Sequence, residues 1–400
     1  MFITDLRKQF YNLITGKRIL LLVHFDVDGI CASKILQSLF RTDHILYTVV
    51  PIQTRTDLIN AFQQHAEQVK HIVLINCGGC IDLVDLLQPS DDLVFFVADN
   101  HRPLDICNIY NAEQIRIMTK LGDEEEVPAF DDVFREDESE EESDEEGGKR
   151  PRFDEEALEK RRERRHWEQQ RHKIIFDYTQ FSYYGSSTAT LMFDLAWKLS
   201  KDSNELLWWA IVGETEQLIS EQTEPDKYLL VTATLQNHVS RLNHKAQDEQ
   251  PLDCLRITFE KEYPFSTVFT FYLMFRKSLT FGLLKGTPDA RFFAAPHCLS
   301  LLARFTLKAH VAVSRSKKSR SLPLIITTPD VRSSESNICL VCGIPPTSEE
   351  SPRNFFGKAF EQAADKTGSK AELEFFDTNI IRLSVDDRSK FFDALISLLS

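Results

Sequence analysis

Three short stretches of this chain end in side chains that can do chemistry. The first, HFDVDG, places His24, Asp26 and Asp28 after the apolar run RILLLV and just before Gly29. Residues two apart on an extended chain point the same way, so the three face one site. Carboxylates grouped like this suit hard divalent cations, and an imidazole beside them suits manganese or zinc better than magnesium. The same acids can instead serve as acceptors for loop N–H groups at a strand end. The second stretch, INCGG, offers Asn76, and the third, ADNHRP, offers Asp99, Asn100 and His101.

Such residues need a scaffold that brings strand ends together. RILLLVHF, HILYTVVPI, HIVLINCG and DLVFFVAD read as buried strands. Between them, CASKILQSLF reads as a helix with Ala32, Ile35, Leu36 and Leu39 on one face, RTDLINAFQQHAEQV as a helix capped near Thr56, and IDLVDLLQ as a short helix. This alternation predicts an α/β fold, a parallel sheet with helices on both faces. Ligands of such sheets sit beyond the carboxyl ends of the strands, where all three polar stretches fall.

The remaining composition narrows the function classes. The net charge of −14 arises almost wholly between residues 123 and 146, where 15 of 24 residues are acidic. No global basic field advertises nucleic-acid binding. The opening MFITDLRKQFYNLITGKR patterns as an amphipathic helix through Phe2, Leu6, Phe10 and Leu13 and lacks a signal-peptide core. The apolar run at 268–275 is far shorter than the ~20 residues that cross a bilayer, so no membrane partner is expected. Eight cysteines in such a chain point to reduced thiols. Two C-x-x-C pairs, Cys77/Cys80 and Cys339/Cys342, lie far apart, and ICLVCGI reads as a buried strand rather than a zinc site.

Residues 121–172 form an insert. Its acidic first part cannot bury enough apolar surface to fold, and its second part, rich in Glu and Arg at i,i+4 spacing, reads as a solvated helix with Trp167 docked. Ser139 and Ser143, each followed by acidic residues, fit acid-directed phosphorylation. Lys149, Arg150 and Arg152, with Arg161, Arg162, Arg164 and Arg165, fit a nuclear-import signal, and the acidic tract fits a docking tail for a basic partner. Residues 173–258 complete the first domain with helices, one starting at Gly185 and Ser186 and one spanning NELLWWAIVGETEQLIS. An aromatic-rich junction follows at 259–284, without a clean helical or strand period. Residues 285–400 read as a smaller C-terminal α/β domain, which leaves 1–120 as the core of the first.

Taken in order, HFDVDG, INCGG, DNHRP, the acidic insert, YYGSSTATLMFDLAWKL, WWAIVGETEQ, KGTPD and GIPP with RNFFGKAFEQAA and DRSKFFDALISLL resemble the eukaryotic cell division control protein 45 family. That family is a branch of the DHH phosphoesterase superfamily, which includes the RecJ-type exonucleases. For the enzymes of the superfamily the resemblance implies two manganese ions and an activated water attacking a phosphodiester. His24, Asp26 and Asp28 match the first motif intact. Asn76 stands where a metal-ligating aspartate is expected, Asp99-Asn100-His101 stands for Asp-His-His, and Glu214 or Glu216 is placed to be the fourth-motif acid, with Glu216 preferred. The accessory domain's glycine-rich motif has no counterpart.

The resemblance therefore implies a degenerate site, no cofactor and a non-enzymatic role. It implies a nuclear subunit of the replicative helicase that binds the MCM ring and the GINS complex, meets chromatin and origin-loading factors, and contacts single-stranded DNA through the old groove. The competing expectation is a manganese-dependent phosphodiesterase acting on single-stranded nucleic acid. The family's extensive central helical region is missing between the two domains, where this chain has only the junction.

Overall fold

The apolar run at 19–23 is buried throughout in the computed structural model, as the centre of β1 (Arg18–His24). Such continuous apolar character fits a strand covered on both faces. The structure describes residues 1–119, 121–122, 125–135, 155–242, 271–275, 280–284, 293–314, 317–330, 337–347 and 353–399. In chain order β1 is followed by β2 (Leu46–Ile52), β3 (His71–Ile75), β4 (Val94–Ala98), the two-residue β5 (His101–Arg102), β6 (Ile115–Ile117) and the two-residue β7 (Tyr183–Tyr184), which pairs with β5. Five of these make one sheet in the order β2-β1-β3-β4-β6, every neighbour parallel.

The chain runs outward from β1 to β2, then crosses back to β3. The order thus reverses between β1 and β3, and their carboxyl ends flank the crevice where such sheets hold ligands. Helices cover both faces. Phe95 and Phe96 are consecutive on β4 and so point oppositely. Phe95 stacks on Phe62 of the helix Arg55–His65 at 6.1 Å, while Phe96 meets Phe10 at 5.0 Å. The helix Val27–Thr42 shares its buried core with the helices Thr188–Lys198 and Asn204–Ile219.

Local chemistry corrects three boundaries. Thr54, not Thr56, caps the helix Arg55–His65: its hydroxyl accepts from the Asp57 N–H, and the Asp57 carboxylate accepts from the Thr54 N–H. The later helix starts at Thr188 with Ser187 as its cap, not at Gly185. The N-terminal segment is a π-helical turn, Arg7–Tyr11, running into Asn12–Ile14. The wider turn buries Leu6, Phe10 and Ile14 and leaves Leu13 52 % exposed.

A second sheet contains β8 (Phe271–Phe275), β9 (Thr280–Leu284), β10 (Leu324–Pro329), β11 (Ile338–Ile344), β12 (Ala371–Glu372) and β13 (Ile380–Ser384). Their order is β12-β13-β11-β10-β9-β8, antiparallel except where β9 runs with β10. Thus Phe271–Phe275 and Thr280–Leu284, within the aromatic-rich junction, are strands. On one face the helix Pro296–Val313 packs through Leu299, Ala303 and Leu307 against Leu324, Ile326 and Cys342. On the other, the helices Phe356–Thr367 and Arg388–Leu399 pack on Ile325, Val341 and Cys339. Cys339 and Cys342 therefore face opposite cores, as residues three apart on a strand must.

Residues Met1–Leu121 and Phe181–Ser400 make one compact unit, and Gly122–Gln180 make another. In the second, the helix Glu155–Thr179 meets a helical turn at Phe130–Val133. The Trp167 indole donates to the Asp131 carbonyl at 3.4 Å, and Arg171 donates to the Val133 carbonyl at 2.7 Å. The acidic tract is therefore not structureless throughout: Phe130–Val133 is helical, because Val133 supplies an apolar side chain to bury. Arg161, Arg162, Arg164 and Arg165 are exposed, and Arg164 pairs with Glu168 at 3.2 Å. Ser139, Ser143, Lys149, Arg150 and Arg152 lie outside the described residues. Among the described residues no helix is long and apolar enough to cross a membrane.

Candidate functional site

Three strand ends converge at the switch point. Past the end of β1, Asp26 caps the helix Val27–Thr42: one carboxylate oxygen accepts from the Gly29 N–H, and the other lies 2.9 Å from His24 Nδ1. A Cβ at Gly29 would sit 2.7 Å from that capping oxygen. At the end of β3, Asn76 takes a left-handed φ of 52°, which asparagine tolerates better than most side chains. Its Nδ2 lies 3.2 and 3.3 Å from the two Asp26 oxygens and 3.0 Å from Asp28 Oδ2, and its Oδ1 accepts from the Thr188 hydroxyl. The carboxylates on one side and the hydroxyl on the other fix which way the amide points.

Asp28 is 1 % exposed and surrounded by donors. Its Oδ1 accepts from the Ser187 hydroxyl and the Ala189 N–H, and its Oδ2 from Asn76 Nδ2, Asn100 Nδ2 and the Thr188 N–H. Burial, followed by the nearby Asp26 charge, raises its proton affinity, and these hydrogen bonds oppose the rise.

Beyond β4, Asp99 Oδ2 accepts from the Gly79 N–H at 2.7 Å, while Oδ1 accepts from the His101 N–H and lies 2.7 Å from His101 Nδ1. His101 Nε2 is 3.4 Å from Asp377 Oδ1, which also accepts from the Tyr184 hydroxyl. A carboxylate therefore stands at each ring nitrogen of His101, an arrangement that favours the charged ring. Burial works against that charge, but Asp99 and Asp377 outweigh it and lift the pKa well above its ordinary value. Burial likewise opposes the Asp99 charge, and the His101 charge and hydrogen bonds outweigh it to hold Asp99 low.

The helix Asn204–Ile219 brings both candidate fourth acids to this crevice. Glu214 is 3 % exposed, and its Oε2 has no hydrogen-bond partner among the described residues. Burial, with the Asp28 charge, pushes it up to about 7. Glu216 accepts from the Ser220 hydroxyl at 2.6 Å, yet burial and then the charges of Asp26, Asp28 and Asp377 lift it to about 8. Both pKa values lie above the ordinary 4.5, so the folded state binds these protons more tightly than the unfolded chain. Their contribution is complete below about pH 4.5 and is lost as pH rises to 7–8. Glu214→Gln is expected to stabilise the protein at pH 8 by on the order of 2 kcal/mol and to change little at pH 5, as denaturant titrations at both pH values would read.

The donor set does not fit a pair of manganese ions. The Asn76 amide stands between Asp26 and Asp28 and presents N–H groups where a cation would need lone pairs. Asp28 is already saturated, His24 Nδ1 is paired with Asp26, and each ring nitrogen of His101 already faces a carboxylate. Among the described residues, the group of three whose ligand atoms lie within 4.8 Å of one another is elsewhere, at Asp82, Asp105 and Cys107. There Asp82 and Asp105 cap the short helices Leu83–Leu87 and Ile106–Tyr110.

Sequence reading missed Ser187, Thr188 and Ala189, although a Ser-Thr pair opening a helix is itself a capping signal. It also missed Tyr184 and Asp377. Asp377 comes from the C-terminal lobe, and no local pattern marks it.

The CDC45 family model matches residues 19–148, 122–269 and 275–398. The human cell division control protein 45 homolog is 34% identical over 568 aligned positions that cover 100% of both chains, and the mouse homolog is equally similar. At least 168 of those positions, the excess of 568 over 400, face no residue here. The crystal structure of CDC45 from Entamoeba histolytica superposes with a TM-score of 0.60 at 15% identity, covering 100% of each chain, and supports the fold. On a full-length match of this kind, the chain belongs to the CDC45 family.

Proposed function

We propose that this chain is a non-catalytic, nuclear subunit of the eukaryotic replicative helicase, binding the MCM ring and GINS. The observation that carries this reading is the full-length match to the human and mouse homologs. The crevice adds a chemical reason for the absence of catalysis. A two-metal clamp needs anionic ligands that are free to hold both ions, whereas here an amide joins Asp26 to Asp28. On this reading His24, Asp26, Asp28, Asn76, Asp99 and Asn100 are retained as fold scaffold, and the exposed arginines of Glu155–Thr179 serve nuclear import. Chromatin and origin-loading factors are its further partners, and single-stranded DNA is contacted along the old groove.

Purification of the tagged chain from dividing cells, followed by a nuclease assay with manganese, tests the reading. MCM and GINS subunits should co-purify, and single-stranded DNA should survive intact. Degradation of that DNA, abolished by Asp26→Ala, would sink the non-catalytic role.

A further inference from the structure

The crevice at the strand ends has an occupant, and it belongs to the same chain. Residues 373–379 connect β12 to β13 and lie across three strand ends of the first sheet. Past β2, the Arg55 N–H donates to the Glu374 carbonyl at 2.8 Å, and the Thr56 hydroxyl donates to the Glu374 carboxylate at 3.0 Å. Past β1, the Phe376 ring meets the His24 ring edge-on, with centroids 5.1 Å apart. Past β4, Asp377 faces His101 and accepts from Tyr184. Phe375, between these contacts, turns the other way into the core of its own lobe with Leu299 and Ile380.

We propose that residues 374–377 form a strap that closes the crevice and latches the C-terminal lobe to it through the Asp377–His101–Tyr184 contact. Three groups at the strand ends are met by the strap. The ring of His101 faces a carboxylate, the ring of His24 meets an aromatic ring edge-on, and the Arg55 N–H donates to a carbonyl. A second tie holds the lobes apart from the strap: Ser182 and Asn354 exchange backbone hydrogen bonds of 2.8 and 2.7 Å. Release of the strap therefore uncovers His24, His101 and Tyr184 together without freeing the lobe. This proposal does not depend on the replication role, and it bears on one part of it: single-stranded DNA reaches the old groove only where the strap is released.

Two variants of the full chain test it, Asp377→Asn and the milder Tyr184→Phe. The readouts are chymotryptic cleavage after Phe375 or Phe376 and hydrogen exchange of the Arg55 amide. Asp377→Asn is expected to speed both at least tenfold. Tyr184→Phe is expected to speed both about threefold, with amides of β1, β3 and β4 within twofold of the unaltered chain. The strap is overturned if Tyr184→Phe changes neither readout, or if it speeds exchange equally across β1, β3 and β4. The Tyr184 variant decides the matter even where Asp377→Asn fails to fold, since it removes one hydroxyl.

Discussion

Asp28→Ala should cost this protein about 4 kcal/mol or more, and the variant should be largely unfolded at moderate guanidinium concentrations where the unaltered chain is folded. Five donors converge on that carboxylate. Each buried donor left without an acceptor costs roughly 1–3 kcal/mol. Two effects reduce the total. Asn76 can turn wholly to Asp26, and removing a carboxylate from beside Asp26 relieves repulsion that already raises the proton affinity of Asp28. The orphaned N–H groups of Thr188 and Ala189 cannot turn away, because they open a helix and both residues are completely buried. The loss is a large share of the ~5–15 kcal/mol that holds a typical domain together. An equilibrium denaturation curve within about 1 kcal/mol of the unaltered chain would show that Asp28 is a bystander.

Gly213→Ala should cost about 2 kcal/mol, against the ordinary preference of a helix interior. In an unobstructed helix, alanine gains about 0.8–1.0 kcal/mol over glycine. Here a Cβ would lie 2.7 Å from Asp28 Oδ1 and 2.7 Å from the Ala189 Cβ. Neither neighbour can give way: the oxygen is fixed by its donors, and Ala189 is completely buried in the facing helix. Overpacking of this kind costs ~1–3 kcal/mol and here also pulls Asp28 off its hydrogen bonds, so the clash wins. Thermal denaturation compares the two chains directly, and an unchanged or raised midpoint would refute the close packing of the two helices at this point.

The parallel sheet was legible because β1, β3 and β4 are short apolar runs that each lead directly into polar residues. The three stretches that met in space were the three that the sequence singled out. What the sequence hid was the second ring of contacts. Ser187 to Ala189 act through backbone N–H groups, which carry no side-chain signature. Asp377 reaches His101 from 276 residues away along the chain, and periodicity reports only neighbours. The N-terminal turn was misjudged for a different reason: hydrophobic spacing assumes 3.6 residues per turn, and a π turn breaks that assumption within a single step. The sequence could not choose between Glu214 and Glu216, because one helix carries both acids close enough to Asp28 for its charge to lift each.

The helices that complete the first lobe also set an order of events during synthesis. Strands β1 to β4 leave the ribosome early, but the helices Thr188–Lys198 and Asn204–Ile219, which cover Val27–Thr42, follow only after the whole of Gly122–Gln180 has been made. Until then one face of the young lobe is bare, and Asp28 waits without three of its five donors. The intervening residues add little to the equilibrium cost, because loop closure grows only by about 0.6 kcal/mol per doubling of length. Their cost is in time. A nascent chain holding an uncovered apolar helix is the kind of species that chaperones engage, so the insert extends the interval in which this protein depends on them.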